Sequence, residues 1–179
     1  MATKTTISWE DFLTSGSDEQ RWEWVDGEIT MMSPASFRHE MVLWHLMEYL
    51  APYCASHPDW TCAPSNAVFT MSSGNWRLPD VSMFKKERLP NSEIPENRAE
   101  FAPDFAFEIL SPGNSPSYIQ RKRKDYRESG MIQVWIDPEK RFIELIYPDC
   151  ALEYVQESEV LTITGVPEFS LPVKNLFAF

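Results

Sequence analysis

The run FAFEIL (105–110), inside APDFAFEILSP (102–112), is the feature that most constrains the fold. A short apolar run of this kind reads as a buried strand. Phe105, Phe107 and Ile109 fall on one face, and positions 104, 106 and 108 on the other. A buried strand has no ordinary use for Asp104 or Glu108. A glutamate between Phe107 and Ile109 is rarely buried without a partner, although an edge strand would expose it to water. Asp104 follows Pro103 and reads as strand-entry punctuation. At about 3.3 Å per residue the two acids stand roughly 13 Å apart along a strand, too far to share one metal ion. That spacing also disfavours them as a glycosidase acid pair, which needs roughly 5–9.5 Å.

The rest of the chain supplies elements to pack around this strand. SWEDFLTSG (8–16) predicts a short helix capped by Ser8 and stopped at Gly16. RWEWVDGEITMMSP (21–34) predicts a hairpin turning at Asp26-Gly27. A helix is expected from Arg38 to about Pro52, with Ser36 as cap and Met41, Trp44, His45 and Tyr49 on one stripe. NAVFTM and RLPDVSMF read as strands separated by SSGN, and 85–100 as a polar loop. SYIQRKRKDYRESG (117–130) predicts a helix ending at Gly130, followed by strands IQVWIDP and RFIELIYP, and LPVKNLF a last short strand or turn. The 179 residues, 43% hydrophobic and 13% aromatic, suffice for one α/β domain spanning 1–179.

Charge and cysteine usage narrow the function. A net charge of −11 argues against a protein that coats nucleic acid along a broad surface, since phosphate contacts come from Lys and Arg. A local basic site with transient contact remains compatible with it. Cys54, Cys62 and Cys150 are odd in number and lack any C-x-x-C, which predicts reduced thiols, no zinc site and a cytoplasmic setting. No run reaches the roughly 18 apolar residues of a membrane span, and no apolar stretch behind the N-terminal Lys suggests a secretory signal.

If Glu108 is a metal ligand, its partner carboxylate must come from another element. Asp80 in RLPDVSMF opens a run plausibly adjacent in the sheet, and its plain alternative is a strand-entry Asp bonded to nearby backbone. On the 117–130 helix, Tyr118, Ile119, Lys122 and Tyr126 form one stripe, so Lys122 faces the sheet while Lys124 lies on the solvated side. Lys122 either snorkels along that face or meets a carboxylate-rich pocket. Two carboxylates and a Lys suit metal-assisted phosphodiester hydrolysis, because carboxylates hold Mg²⁺ beside phosphate oxygens, and a Lys can orient or help deprotonate the attacking water and neutralise developing charge.

Taken in order, WEWVDGEI, MSPASFRHE, LPDVSMF, APDFAFEILSPG, KRKDYRESG, VWIDP and LPVKNLF resemble the Uma family of restriction-endonuclease-like proteins, within the PD-(D/E)xK nuclease group. The resemblance covers most of the chain. It implies an α/β restriction-endonuclease-like fold, a mixed central sheet flanked by helices. It also implies that Asp80 and Glu108 bind the metal, Mg²⁺ with Mn²⁺ as a substitute. The usual motif has a Lys two residues after the second acid, where this chain has Leu110. The family's helix Lys, four residues before a Tyr, corresponds to Lys122 before Tyr126. Glu23 and Glu28 match the family's hairpin and are auxiliary candidates, with exposed, solvating acids as the alternative. His39 also matches, as a phosphate contact or as a capping and packing residue, and Glu40 is a weaker auxiliary acid. The expected activity is a metal-dependent endonuclease contacting DNA transiently, with homodimerisation a way to address two strands. The competing expectation is a non-catalytic interaction protein that keeps the fold.

Overall fold

The computed structural model describes residues 22–32 and 34–179. The helix expected at 8–16 lies outside the described residues. The chain opens with the hairpin β1 (Trp22–Val25) and β2 (Glu28–Met31). Asp26 and Gly27 both adopt positive φ, 53° and 80°, the combination that a tight two-residue hairpin turn requires. Helix α1 (Phe37–Ser56) follows, and β3 (Trp60–Pro64), β4 (Phe69–Thr70), β5 (Trp76–Arg77) and β6 (Val81–Lys85) come next. After two short 3-10 turns come β7 (Phe105–Ile109), α2 (Pro116–Glu128), β8 (Ile132–Asp137) and β9 (Phe142–Ile146). Strands β10 (Leu152–Gln156), β11 (Val160–Ile163) and β12 (Val166–Pro172) and a 3-10 turn at Val173–Phe177 complete it.

Six strands form the central sheet in the order β10-β9-β8-β7-β6-β3. The sheet is mixed: β7 and β8 run parallel through the α2 crossover, and the other pairs are antiparallel. The run that opened the sequence argument is thus an interior strand, buried at all five positions. One face carries Val81, Met83, Phe105, Phe107, Ile109, Val134 and Ile136 against Val42, Leu46 and Leu50 of α1 and the β11–β12 hairpin. The other carries Phe84, Ala106 and Trp135 against Tyr126 of α2 and Phe69 of β4. That second face is also overlain by a small sheet, ordered β2-β1-β5-β4. Each large apolar side chain buried in these layers contributes about 1.5–3 kcal/mol.

Three expectations need correction. The buried stripe of α1 is His39, Val42, Leu46, Leu50 and Tyr53, whereas Trp44 faces solvent. The longer run of aliphatic residues at i+3 and i+4 spacing sets which face packs. RLPDVSMF is not one strand: β5 ends at Arg77 and β6 begins at Val81. Pro79 lacks the N–H that a continuous ladder needs. NAVFTM contributes only Phe69–Thr70, while Trp60–Pro64 forms an edge strand that its mixed composition concealed. LPVKNLF meets its expectation of a short strand or turn, ending β12 and then forming a 3-10 turn.

Candidate active site

The site lies between the second face of the central sheet and α2. Val81 pairs with Phe107, so one residue further along Asp80 stands level with Glu108, on the same face. Both are buried, at 6% exposure each. Asp80 Oδ2 accepts the N–H of Ile109 at 2.9 Å and lies 3.0 Å from His39 Nε2. His39 is set by the cap of α1, where Ser36 Oγ accepts its backbone N–H at 3.2 Å. Burial opposes ionisation of Asp80, but the imidazole's hydrogen bond and charge outweigh it and hold the carboxyl below its ordinary range. Burial lowers the His39 pKa and Asp80 more than restores it, so the ring is the more basic for its position.

Glu108 is in a different state. Burial raises its pKa and the nearby Asp80 charge adds to this, against Lys122 and Tyr126, for a value of about 7. Two carboxylates facing each other in a low-dielectric layer repel, and the second loses its charge more easily.

Helix α2 is capped by Ser115, which accepts the N–H of Tyr118 at 3.3 Å, and it buries three residues: Lys122, Asp125 and Tyr126. A helix that buries a lysine and an aspartate is shaped by what they meet. Lys122 Nζ lies 2.8 Å from Glu108 Oε1 and 3.1 Å from Glu23 Oε1, and donates to the Leu78 carbonyl at 3.1 Å. Burial alone would lower its pKa, but Glu108 and Glu23 raise it well above the ordinary lysine value. Its carboxylate partners thus favour the ammonium form in this network. Tyr126 donates its hydroxyl to Glu108 Oε1, and burial together with the Glu108 charge keeps that phenol protonated.

Behind Lys122 lies a second layer of charge. Arg77 Nη1 donates to Glu23 Oε2 at 2.7 Å and its Nε to Asp125 Oδ2 at 2.7 Å. Tyr118 donates to Glu23 Oε2 at 2.9 Å, and Leu78 N–H to Glu23 Oε1 at 3.2 Å. Asn75 Nδ2 donates to Asp125 Oδ1 at 3.1 Å. Burial would raise the Glu23 pKa, but Lys122 and Arg77 lower it, so this acid stays ionised.

Asp80, Glu108, Lys122, His39 and Glu23 are thus brought into one connected cluster. Glu23 is fully buried and not a solvating hairpin acid, which corrects that alternative. Glu28 pairs with Val25 on the small sheet and is not among the groups bonding Lys122 or Arg77. Glu40 lies 3.4 Å from His39 Nδ1, at the rim. Lys124 points outward toward Glu128 at 3.8 Å. Asp104 accepts the N–H of Lys85 and the guanidinium Nε of Arg88, both at 2.9 Å, a local structural role. Leu110 follows the end of β7 and packs against the apolar cluster of the second face. Arg77 and Asp125 escaped the sequence reading. Asp125 is three residues after Lys122 on the same helix stripe, and Arg77 alternates with Trp76 and Leu78, signals that could have located both.

Among the described residues, no three His, Cys, Asp or Glu side chains converge to form a protein-only metal cage. Mg²⁺ does not need one, since it is commonly held by one or two carboxylates with waters and substrate phosphates. Hard oxygen donors at Asp80 and Glu108 fit that mode. The mutual repulsion of the two acids is what a divalent ion would relieve.

Comparison with known proteins adds to this geometry. A family model described as Uma2, putative restriction endonuclease, matches residues 9–174. A crystal structure of a putative nuclease belonging to DUF820 from Anabaena variabilis is similar at a TM-score of 0.83 and 21% identity, covering 96% of this chain and 97% of that one. No curated protein matches the sequence. The structural likeness establishes the α/β architecture that the two chains share.

Proposed function

This chain belongs to the Uma2 family of putative restriction endonucleases, and from that premise we propose that it is a metal-dependent endonuclease that hydrolyses DNA phosphodiester bonds. The observation that carries the proposal is that buried Asp80, just before β6, stands level with buried Glu108 of β7, with the Lys122 ammonium 2.8 Å from Glu108. Asp80 and Glu108 are the residues that would hold Mg²⁺, or Mn²⁺ in its place. Such an ion supplies Lewis acidity, lowering the pKa of bound water and stabilising charge on the attacked phosphate.

The protein's own groups divide the remaining work. His39 keeps Asp80 ionised and oriented. Tyr126 and Lys122 fix the Glu108 carboxylate from two directions. The Lys122 ammonium offsets negative charge gathering at the phosphate and orients water by hydrogen bonding. Glu23, held by Arg77, Tyr118 and Leu78 N–H, fixes Lys122 from the far side. We place the contact with DNA as transient, in keeping with the −11 net charge, and the enzyme in the cytoplasm as a homodimer. The odd number of cysteines and the lack of any C-x-x-C in the sequence support the reducing compartment.

A second reading is a non-catalytic interaction protein. It is favoured by the −11 net charge and by Leu110 standing where the usual motif carries its strand Lys. Incubation of a DNA substrate with the protein and Mg²⁺ separates the two. The nuclease reading expects cleavage that chelation stops and Glu108→Ala abolishes; cleavage unchanged in that variant would sink the assignment.

A further inference from the structure

Helix α1 has a second apolar face, distinct from the one it buries against the described residues. Phe37 is 83% exposed and Trp44 61%, with half-buried Met41 between them. The spacing 37, 41, 44 puts the three on one line along the helix, away from the buried line of Val42, Leu46, Leu50 and Tyr53. Phe179 widens the patch: it is 57% exposed, its ring stacks 6.3 Å from His45, and the Arg38 guanidinium lies 5.9 Å from its centroid. Scattered single apolar residues need no explanation, but large ones contiguous on one helix mark an interaction surface.

We propose that this face docks a second copy of the chain, α1 against α1 in antiparallel order about a two-fold axis near Val42 and Leu43. The charges on the helix select both the occupant and the direction. Arg38 and Glu48 flank the apolar line at opposite ends. An antiparallel two-fold brings Arg38 beside Glu48 of the partner subunit and Trp44 onto Met41 of the partner subunit, a favourable sulfur–aromatic contact. A parallel arrangement would set Arg38 against its own copy and Glu48 against its own, which costs energy. Two chains of −11 net charge repel at long range, so self-association needs such local complementarity. Nucleic acid fits the face poorly, because Glu40 and Glu48 border it. Phe37 is two residues from His39, the partner of Asp80, so the interface would flank both candidate sites of the dimer.

The proposal rests on the homodimer reading above and is independent of whether the protein cleaves DNA. Sedimentation equilibrium of the full chain tests it, with Trp44→Glu, Arg38→Glu, Glu48→Arg and the double charge swap. Circular dichroism verifies that these surface variants remain folded. The wild type is expected to dimerise, Trp44→Glu to be monomeric, and each single reversal to weaken the dimer at least about tenfold, with the swap restoring it. A wild type that is monomeric throughout would overturn the homodimer itself. A dimer indifferent to Trp44→Glu would overturn the face while leaving the homodimer intact, and a swap that fails to rescue would overturn the antiparallel pairing.

Discussion

The ammonium of Lys122, carried by α2, lies 2.8 Å from Oε1 of Glu108, carried by β7. The contact joins a helix to the strand it packs on, and through Glu23 at 3.1 Å it reaches the small sheet as well. Lys122→Met would leave two buried carboxylates without their shared cation. We expect a stability loss of about 3–5 kcal/mol by thermal or denaturant unfolding, the usual result of removing one partner of a buried pair. Cleavage should fall by about a hundredfold or more even at temperatures where the variant is folded.

Glu108 gives the protein a pH signature. Its folded pKa of about 7 lies above its ordinary 4.5, so the folded state binds the extra proton between those values. Stability from this group is present below pH ~4.5 and is lost as pH rises through about 7. His39, also raised, acts in the same direction, while the lowered Asp80 and Glu23 lose their contributions only in stronger acid. Metal-free protein should therefore melt at lower temperature at pH ~8 than at pH ~5.5, and Glu108→Gln should flatten the difference. Apparent Mg²⁺ affinity should rise across the same window, since proton and metal compete for one carboxylate.

Arg77 is 1% exposed and neutralises both Glu23 and Asp125. Arg77→Met should cost about 3–5 kcal/mol, because two acids lose their counter-ion in the interior. Adding Asp125→Asn to that background should recover part of the loss. Strict additivity of the two substitutions in unfolding experiments would contradict the coupling.

Asp104 and Glu108 should behave oppositely despite sharing one strand sequence. Asp104→Asn weakens a half-exposed pairing with Arg88 and should cost about 1 kcal/mol or less. Its cleavage rate should match the wild type, whereas a large loss would put Asp104 into the chemistry.

How far the sequence reveals this arrangement depends on how local each cause is. Glu108 is conspicuous because its immediate neighbours are Phe107 and Ile109, and Lys122 because it shares a stripe with Tyr118 and Tyr126. Both signals need only the period of a strand or a helix. Glu23 is a candidate in the sequence only through the family's hairpin, because its burial depends on Arg77 and Lys122, which approach it from distant parts of the chain. In WEWVDGEI alone it is indistinguishable from Glu28. The interior strands β7 and β8 were legible for the same reason as Glu108. The peripheral β3, β10, β11 and β12 carry mixed compositions, and pairing with neighbours defines them more than propensity does.

The central claim is that Asp80 and Glu108 hold a divalent ion at this site, and Mn²⁺ titration followed by calorimetry tests it most directly. The titration should be run with and without a non-hydrolysable DNA duplex, so that phosphate oxygens are available to complete the ion's shell. The account predicts a binding isotherm for the wild type, strengthened by the duplex and lost in folded Asp80→Asn and Glu108→Gln proteins. Equal binding by those variants, or no binding by the wild type at millimolar Mn²⁺ even with the duplex present, would contradict it.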